Sequence, residues 1–135
     1  MKDDEGNFRP ISPQDETIGK ALVNAAYIVH KEPGPGLLEK VYELCFCHVV
    51  ARNGFTAVRK TDIPIVFDGI VFSKGLRLDV LVNGLVICKL KTLKTLNPVW
   101  KAQILSHLKL AGKRLEYLIN FNVSLIKNGI TRIVH

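Results

Sequence analysis

The chain is poor in the residues that announce chemistry by themselves. Cys45, Cys47 and Cys88 are the only cysteines among 135 residues, an odd number, with no Cys-x-x-Cys or Cys/His spacing, which argues against a disulfide framework and against zinc. Cys45 and Cys47 fall in a predicted helix, where residues two apart diverge and cannot share a metal. All three read as small buried hydrophobes in a reducing compartment. No apolar run reaches the length of a membrane span, and the opening MKDDEGNFRP is charged with no apolar stretch behind it, so neither a membrane anchor nor a secretory signal is expected. The expected location is the cytoplasm. Acids are also scarce: 12 Asp plus Glu face 19 Lys plus Arg, for a net charge of +7 and a pI of about 9.5. That surplus favours polyanionic partners, nucleic acid or an anionic membrane surface, although it also serves plain solubility.

What is present suffices for one core, since 47% of the residues are hydrophobic. Residues 1–11 read as a flexible lead-in and residues 12–135 as a single domain. Ser12-Pro13-Gln14-Asp15 offers a hydroxyl N-cap, a proline in the first turn and an acid, and Ile18, Leu22, Ala25, Ala26 and Val29 follow at helical spacing to about residue 31. The break Glu-Pro-Gly-Pro-Gly at 32–36 launches a second helix that stops near Asn53-Gly54. The period then changes. Residues 58–75 suggest a hairpin turning at Asp68-Gly69, and runs 76–82 and 85–91 meet across Asn83-Gly84, a two-residue hairpin signal. Asn97-Pro98 caps a helix that ends at Gly112, LEYLINFNV is a strand, and GITRIVH is a candidate short last one. The order αα-ββββ-α-β, with a meander of three or four strands and that optional final strand, predicts an α/β fold with helices on a central sheet.

The run LVICKLKTL, residues 85–93, raises the functional question. It reads as a mostly buried strand, yet Lys89 and Lys91 lie two positions apart and so emerge on one face, roughly 6 to 7 Å from each other. The preceding apolar run, GLRLDVLVNG, holds one acid, Asp79. A turn centred on Asn83-Gly84 sets Lys89 near residue 78 and Lys91 near residue 76, so a twist or bulge is needed to bring Asp79 to them. On the second helix Glu39 shares a face with Tyr42, Phe46 and Val49 or Val50, and on the later helix Gln103 and His107 share a stripe with Val99 and Leu110. Carboxylates facing amines over a sheet are the ingredients of metal-assisted phosphodiester hydrolysis: the acids hold Mg²⁺, the cation polarises phosphate, and a lysine orients the nucleophile. A hard cation wants more than one carboxylate, and the strand supplies one.

GLLEKVY, residues 36–42, has the form Gly-x-x-Glu-x-x-Tyr, and from about Ile18 to Val134 the chain resembles the GxxExxY proteins, a group assigned to the PD-(D/E)XK nuclease-like superfamily. VHKEPGPGLLEKVY, RLDVLV, VICKLK, Asn97-Pro98-Val99, AQILSHLKLAG and LINFNV carry the resemblance in order. It implies a restriction-endonuclease-like core with a central mixed sheet flanked by helices. It also implies Asp79 as the acid after the turn, Lys91 as the motif lysine, Glu39 as the helical acid, Gln103 as the helical glutamine, and Tyr42 as the signature tyrosine. The glutamate of the Glu-x-Lys half of the motif falls on Lys89. His107 stands where an aromatic is usual, and Trp100 and Lys101 replace an expected histidine and acid.

An ammonium in place of a metal-binding carboxylate changes the local charge by two units, and each unit pair at ~4 Å is worth about 4 kcal/mol at an effective dielectric near 20. Mg²⁺ would be repelled, and Lys89 is expected to pair with Asp79 or Glu39 instead. The leading expectation is therefore a degenerate nuclease-like domain that binds nucleic acid, DNA or RNA, through Lys89, Lys94, Lys101 and Lys109, needs no cofactor, and has lost or impaired cleavage. An active Mg²⁺- or Mn²⁺-dependent nuclease, with Glu39 and Asp79 as its metal ligands, is the first alternative. A non-enzymatic protein-interaction module, for instance a homodimer, is the second. The bland readings are a structural Asp79–Lys91 ion pair, a solvated basic face, and Trp100 as core filling.

Overall fold

The computed structural model describes residues 9–135, with every side chain among them except that of Lys74. Residues 1–8 of the expected lead-in lie outside the described residues. Helix α1 (Pro13–Lys31) begins as its sequence dictates: the Ser12 hydroxyl accepts from the Asp15 amide at 3.1 Å, and Asp15 and Glu16 lie at the positive end of the helix dipole. Helix α2 (Glu39–Arg52) follows the Pro-Gly break, and then come β1 (Ala57–Phe67), β2 (Ile70–Val82), β3 (Val86–Lys91), α3 (Val99–Ala111), β4 (Leu115–Asn120), a 3-10 turn over Ile126–Gly129 and β5 (Ile130–Val134).

The five strands lie side by side in chain order. All neighbours are antiparallel except β3 and β4, which run parallel, from Val86↔Leu115 to Lys91↔Asn120. A parallel pair needs a crossover, and α3 is that crossover. The expected α/β class with a mixed sheet flanked by helices holds. Of the three- and four-strand meanders expected, the three-strand one forms, because the run at 76–82 is not separate: β2 is one strand of 13 residues from Ile70. Residue 75 is a glycine there, so no side chain interrupts the crossing, and a Cβ would collide with Ile65 of β1. The optional last strand is real.

Each face of the sheet carries its own core. On one side Ile18, Leu22, Ala25 and Val29 of α1 and Tyr42, Phe46 and Val50 of α2 pack on Val80, Val82, Val86, Cys88, Leu115, Tyr117 and Ile119. On the other, Ile104 and Leu108 of α3 cover Leu78, Ile87, Leu118 and Ile133. The buried stripe of α3 is thus not the expected one: Val99, Gln103 and Leu110 are exposed, because Ile104 and Leu108 offer the larger continuous apolar surface to the sheet. Cys45 also departs from expectation. It is exposed on the outer face of α2, while Cys88 is buried and Cys47 half-buried, all three as free thiols. Burial pushes the Cys47 thiol up to about 11 and the Cys88 thiol upward as well, which leaves both unreactive.

Candidate functional site

The turn between β2 and β3 sets the site. Val82 pairs with Val86, and the Leu85 amide donates to the Val82 carbonyl, so the loop has three residues, Asn83, Gly84 and Leu85, rather than the expected two. Asn83 (φ 52°) and Gly84 (φ 68°) both occupy the left-handed region that such loops require. The one-residue difference corrects the register. Val80 faces Cys88 and Leu81 faces Ile87, so the same count carries Lys89 to Asp79 and not to residue 78.

At that point the two strands stop pairing backbone to backbone. The Asp79 carboxylate Oδ2 takes up the Leu90 amide at 3.2 Å, filling the place of a carbonyl. On the other flank, Arg59↔Val80 and Thr61↔Leu78 bracket Lys60, whose φ is 55°. Leu78 and Val80 would share a face in a regular strand, yet Leu78 packs under α3 and Val80 under α1 and α2. Asp79 therefore lies where the sheet reverses the sense of its alternation. Lys60 and Arg59 are held in this kink by the buried Glu43 of α2, at 3.1 and 3.4 Å.

On the α3 side of the sheet, Ile87, Lys89 and Lys91 follow one another on a single face of β3, next to Glu116 and Leu118 of β4. The Lys91 ammonium lies 5.2 Å from the centroid of the Trp100 ring, a cation–π contact that holds the ammonium against the start of α3. Half-buried His107 is depressed below its ordinary range, first by desolvation and then by the Lys89 charge. Glu116 was not anticipated by sequence reasoning. It is 2% exposed, its Oε1 has no hydrogen-bond partner, and burial pushes its carboxyl up to about 8, with Lys89 pulling it down and Asp79 pushing it further up. Lys89, Lys91 and Glu116 thus share the α3 side of the sheet, and the Lys89 charge acts on both Glu116 and His107.

Other expected site residues lie apart from this group. Glu39 is the first residue of α2, half-buried, with no hydrogen bond or ion pair to Asp79, Lys89 or Lys91 among the described residues. Tyr42 is fully buried: its hydroxyl donates to the Gly34 carbonyl and accepts from the Leu37 amide, and its ring stacks on Phe121 at 4.5 Å. That arrangement fixes the Gly-Pro-Gly loop ahead of α2. Gln103, Lys94, Lys101 and Lys109 are exposed. Asn120, also not singled out from sequence, ties the ends of β3 and β4 together. Its carboxamide accepts from the Leu93 amide and donates to the Leu93 carbonyl, both at 2.9 Å, while the Phe121 amide donates to the Lys91 carbonyl. Motif-like strands therefore end in a fixed relation, with Lys91 on one and a buried carboxamide on the other.

A family model described as PD-(D/E)XK nuclease superfamily matches residues 16–133. The chain belongs to that superfamily. The match runs from α1 into β5 and takes in every site residue named above. No curated protein and no solved structure matches the chain. PD-(D/E)XK nucleases typically use divalent metals. Asp79 and the buried Glu116 offer carboxylate oxygens, but Lys89 comes from the strand between theirs, and no group of three or more His, Cys, Asp or Glu able to hold a metal occurs among the described residues. A hard dication needs several oxygen ligands, which two carboxylates with a lysine from the strand between them do not supply, so these residues as they stand do not fit one.

Proposed function

We propose that this PD-(D/E)XK domain, of the GxxExxY type that its signature resembles, is a nucleic-acid-binding member with lost or impaired cleavage. The observation that carries the reading is Lys89: an ammonium stands on the α3 face of β3, beside the only acid of β2 at this end of the sheet, where the motif calls for a carboxylate. Without a bound dication, neither the polarised phosphodiester nor the metal-activated water is available. The same replacement adds positive charge to the α3 face of the sheet, and with the net charge of +7 it favours phosphate contacts that are indifferent to sequence. Lys94, Lys101 and Lys109, all exposed, extend that surface along α3 and the loop before it.

Fluorescence anisotropy with single-stranded DNA, duplex DNA and RNA at about 50 mM salt tests the reading, since backbone contacts of this kind weaken steeply as salt rises. Binding to at least one probe, falling about tenfold or more by 200 mM salt, with no strand cutting in Mg²⁺ or Mn²⁺, is the expected result. Absence of binding to all probes overturns it. So does metal-dependent cutting abolished by Asp79→Ala and Lys91→Ala, which would favour the active-nuclease alternative with Glu39 as a ligand.

A second reading has its own support. Val66, Phe67, Ile70, Val71 and Phe72 are 45 to 67% exposed on the β1–β2 hairpin, an apolar tip of the kind that marks a protein contact. Sedimentation across a concentration series, repeated with Phe67→Ser and Val71→Ser together, separates the two. A concentration-dependent mass lost in the double variant, with no nucleic-acid binding, favours an interaction module.

A further inference from the structure

We propose that the outer half of the β1–β2 hairpin is a stacking platform for unpaired bases, with Phe67 and Phe72 clasping a base of a single strand whose phosphates run along the lysines of the α3 side. The inference rests on the reading of this domain as a nucleic-acid binder, and it goes further by naming the strandedness of the partner and the residues that select it.

The hairpin outruns the rest of the sheet. β3 pairs with β2 only from Val80 to Val82, and by the same count its end at Lys91 reaches the level of Arg77. From there to the tip, among the described residues, β1 and β2 pair only with each other. A two-stranded ribbon is marginal on its own in water, and large apolar side chains left open on it mark a contact surface. The open stripe has a definite side. Thr61, Ile63, Ile65 and Phe67 alternate along one face of β1, and Ile63 packs into the core beneath α3. Ile65 pairs with Phe72 and Phe67 with Ile70, so these four side chains continue the α3 side of the sheet beyond the part that α3 covers. Phe67, Ile70 and Phe72 are 67, 55 and 45% exposed.

Charge and size decide what covers them. Lys89 and Lys91 lie on the same side of the sheet, and the Lys91 ammonium, 5.2 Å from the Trp100 ring centroid, marks the end of β3 from which the hairpin projects. Exposed Lys101 follows on α3. From the level of Arg77 to Phe72 the strand runs at most about 17 Å, so a basic track leads onto the aromatic stripe. A stable protein contact takes roughly 800 Å² and 20–30 residues from each partner, far more than three open side chains on one face supply. A base needs only one ring to stack on. Phe67 and Phe72 come from adjacent pairs of the ladder, which makes them diagonal neighbours, about 7–8 Å apart at the backbone. That gap admits one base between the rings, since stacked aromatic planes are about 3.4 Å apart. Bases in a duplex are already stacked on their neighbours and must be pulled out first, so the platform favours a single strand.

Fluorescence anisotropy at about 50 mM salt with three probes of about 12 nucleotides tests the platform: a mixed-sequence single strand, its duplex, and an abasic strand that keeps every phosphate and no base. The proteins are the unaltered chain, Phe67→Leu combined with Phe72→Leu, which keeps apolar surface and removes both rings, and Val66→Ser, whose side chain lies on the opposite face of the hairpin. The unaltered chain is expected to bind the single strand at least about fivefold more tightly than the abasic strand. The leucine pair removes that margin and leaves duplex and abasic binding as they were, and Val66→Ser changes nothing beyond about twofold. Equal binding of intact and abasic strands by the unaltered chain, or an equal loss on all three probes in the leucine pair, overturns the platform and leaves the functional reading standing. Binding to none of the probes overturns both. A dimer that sediments as such and is lost with Phe67→Ser and Val71→Ser gives the tip to a second copy and overturns the platform as well. If circular dichroism shows the leucine pair unfolded, ultraviolet crosslinking of the unaltered chain to an iodouracil-substituted single strand decides: the modified residues must include Phe67 or Phe72, and crosslinks confined elsewhere overturn the proposal.

Discussion

At the scale of single residues, the chain spends stability on the α3 face of its sheet. The Glu116 carboxyl, with an ordinary value of 4.5, is raised to about 8 in the folded protein. A folded state that binds its proton more tightly than the unfolded chain loses stability as pH rises from the unfolded value through the folded one, and recovers none above it. Thermal melts between pH 5 and 9 are therefore expected to fall across that window, by at most on the order of 4 kcal/mol. Glu116→Gln, which keeps the shape and removes the titration, flattens the profile and melts above the unaltered chain at the alkaline end. A second expectation concerns Asn120, whose carboxamide satisfies both backbone groups of Leu93. Asn120→Ala leaves those groups without partners and costs about 2 kcal/mol by denaturant titration. That Lys89 and Lys91 share a face was legible in sequence because strand alternation fixes it, whereas Asp79 was legible only as the one acid of its run, since its register depends on the loop before β3. Glu116 was not, because β4 is buried at all six positions and one acid within it gives no sign of what stands opposite until the parallel register is known.

At the scale of elements, the three helices and the chain order of the strands followed from caps, breaks and periodicity, while the loop before β3 and the buried stripe of α3 each turned on a choice between neighbouring registers. A left-handed Asn83-Gly84 pair suits both a two-residue and a three-residue loop, and only the packing of Val80 and Val82 against α1 and α2 selects the latter. Likewise α3 carries apolar residues on more than one stripe, and the sheet selects Ile104 and Leu108. Substitution reads this directly. Ile104→Ala is expected to cost 2–5 kcal/mol, whereas Gln103→Ala, on the exposed side, changes stability by less than about 0.5 kcal/mol. Paired denaturation curves check both. A large loss at Gln103 would mean that α3 is rotated from the position described. Gly19 is a third test of element packing: a Cβ there would lie 2.6 Å from the Tyr117 hydroxyl, so Gly19→Ala must displace the Tyr117 ring or α1, at about 1–3 kcal/mol.

At the scale of the whole molecule, two surfaces stand out. Lys89 and Lys91 of β3 and the exposed Lys101 and Lys109 of α3 lie on the α3 side, and the far end of the β1–β2 hairpin bears exposed apolar residues. The basic excess was readable from composition, but the apolar tip was not, since its alternating Val, Phe and Ile look like any half-buried strand until no layer is found to cover them. No helix among the described residues is long and apolar enough to cross a membrane. The arrangement of the sheet also has a bearing on how the molecule is made. Helix α1 rests on β4, an inner strand that emerges from the ribosome long after it. During synthesis the first helices and the meander must wait with an apolar side uncovered, and the late arrival of residues 115–134 closes both layers in one step.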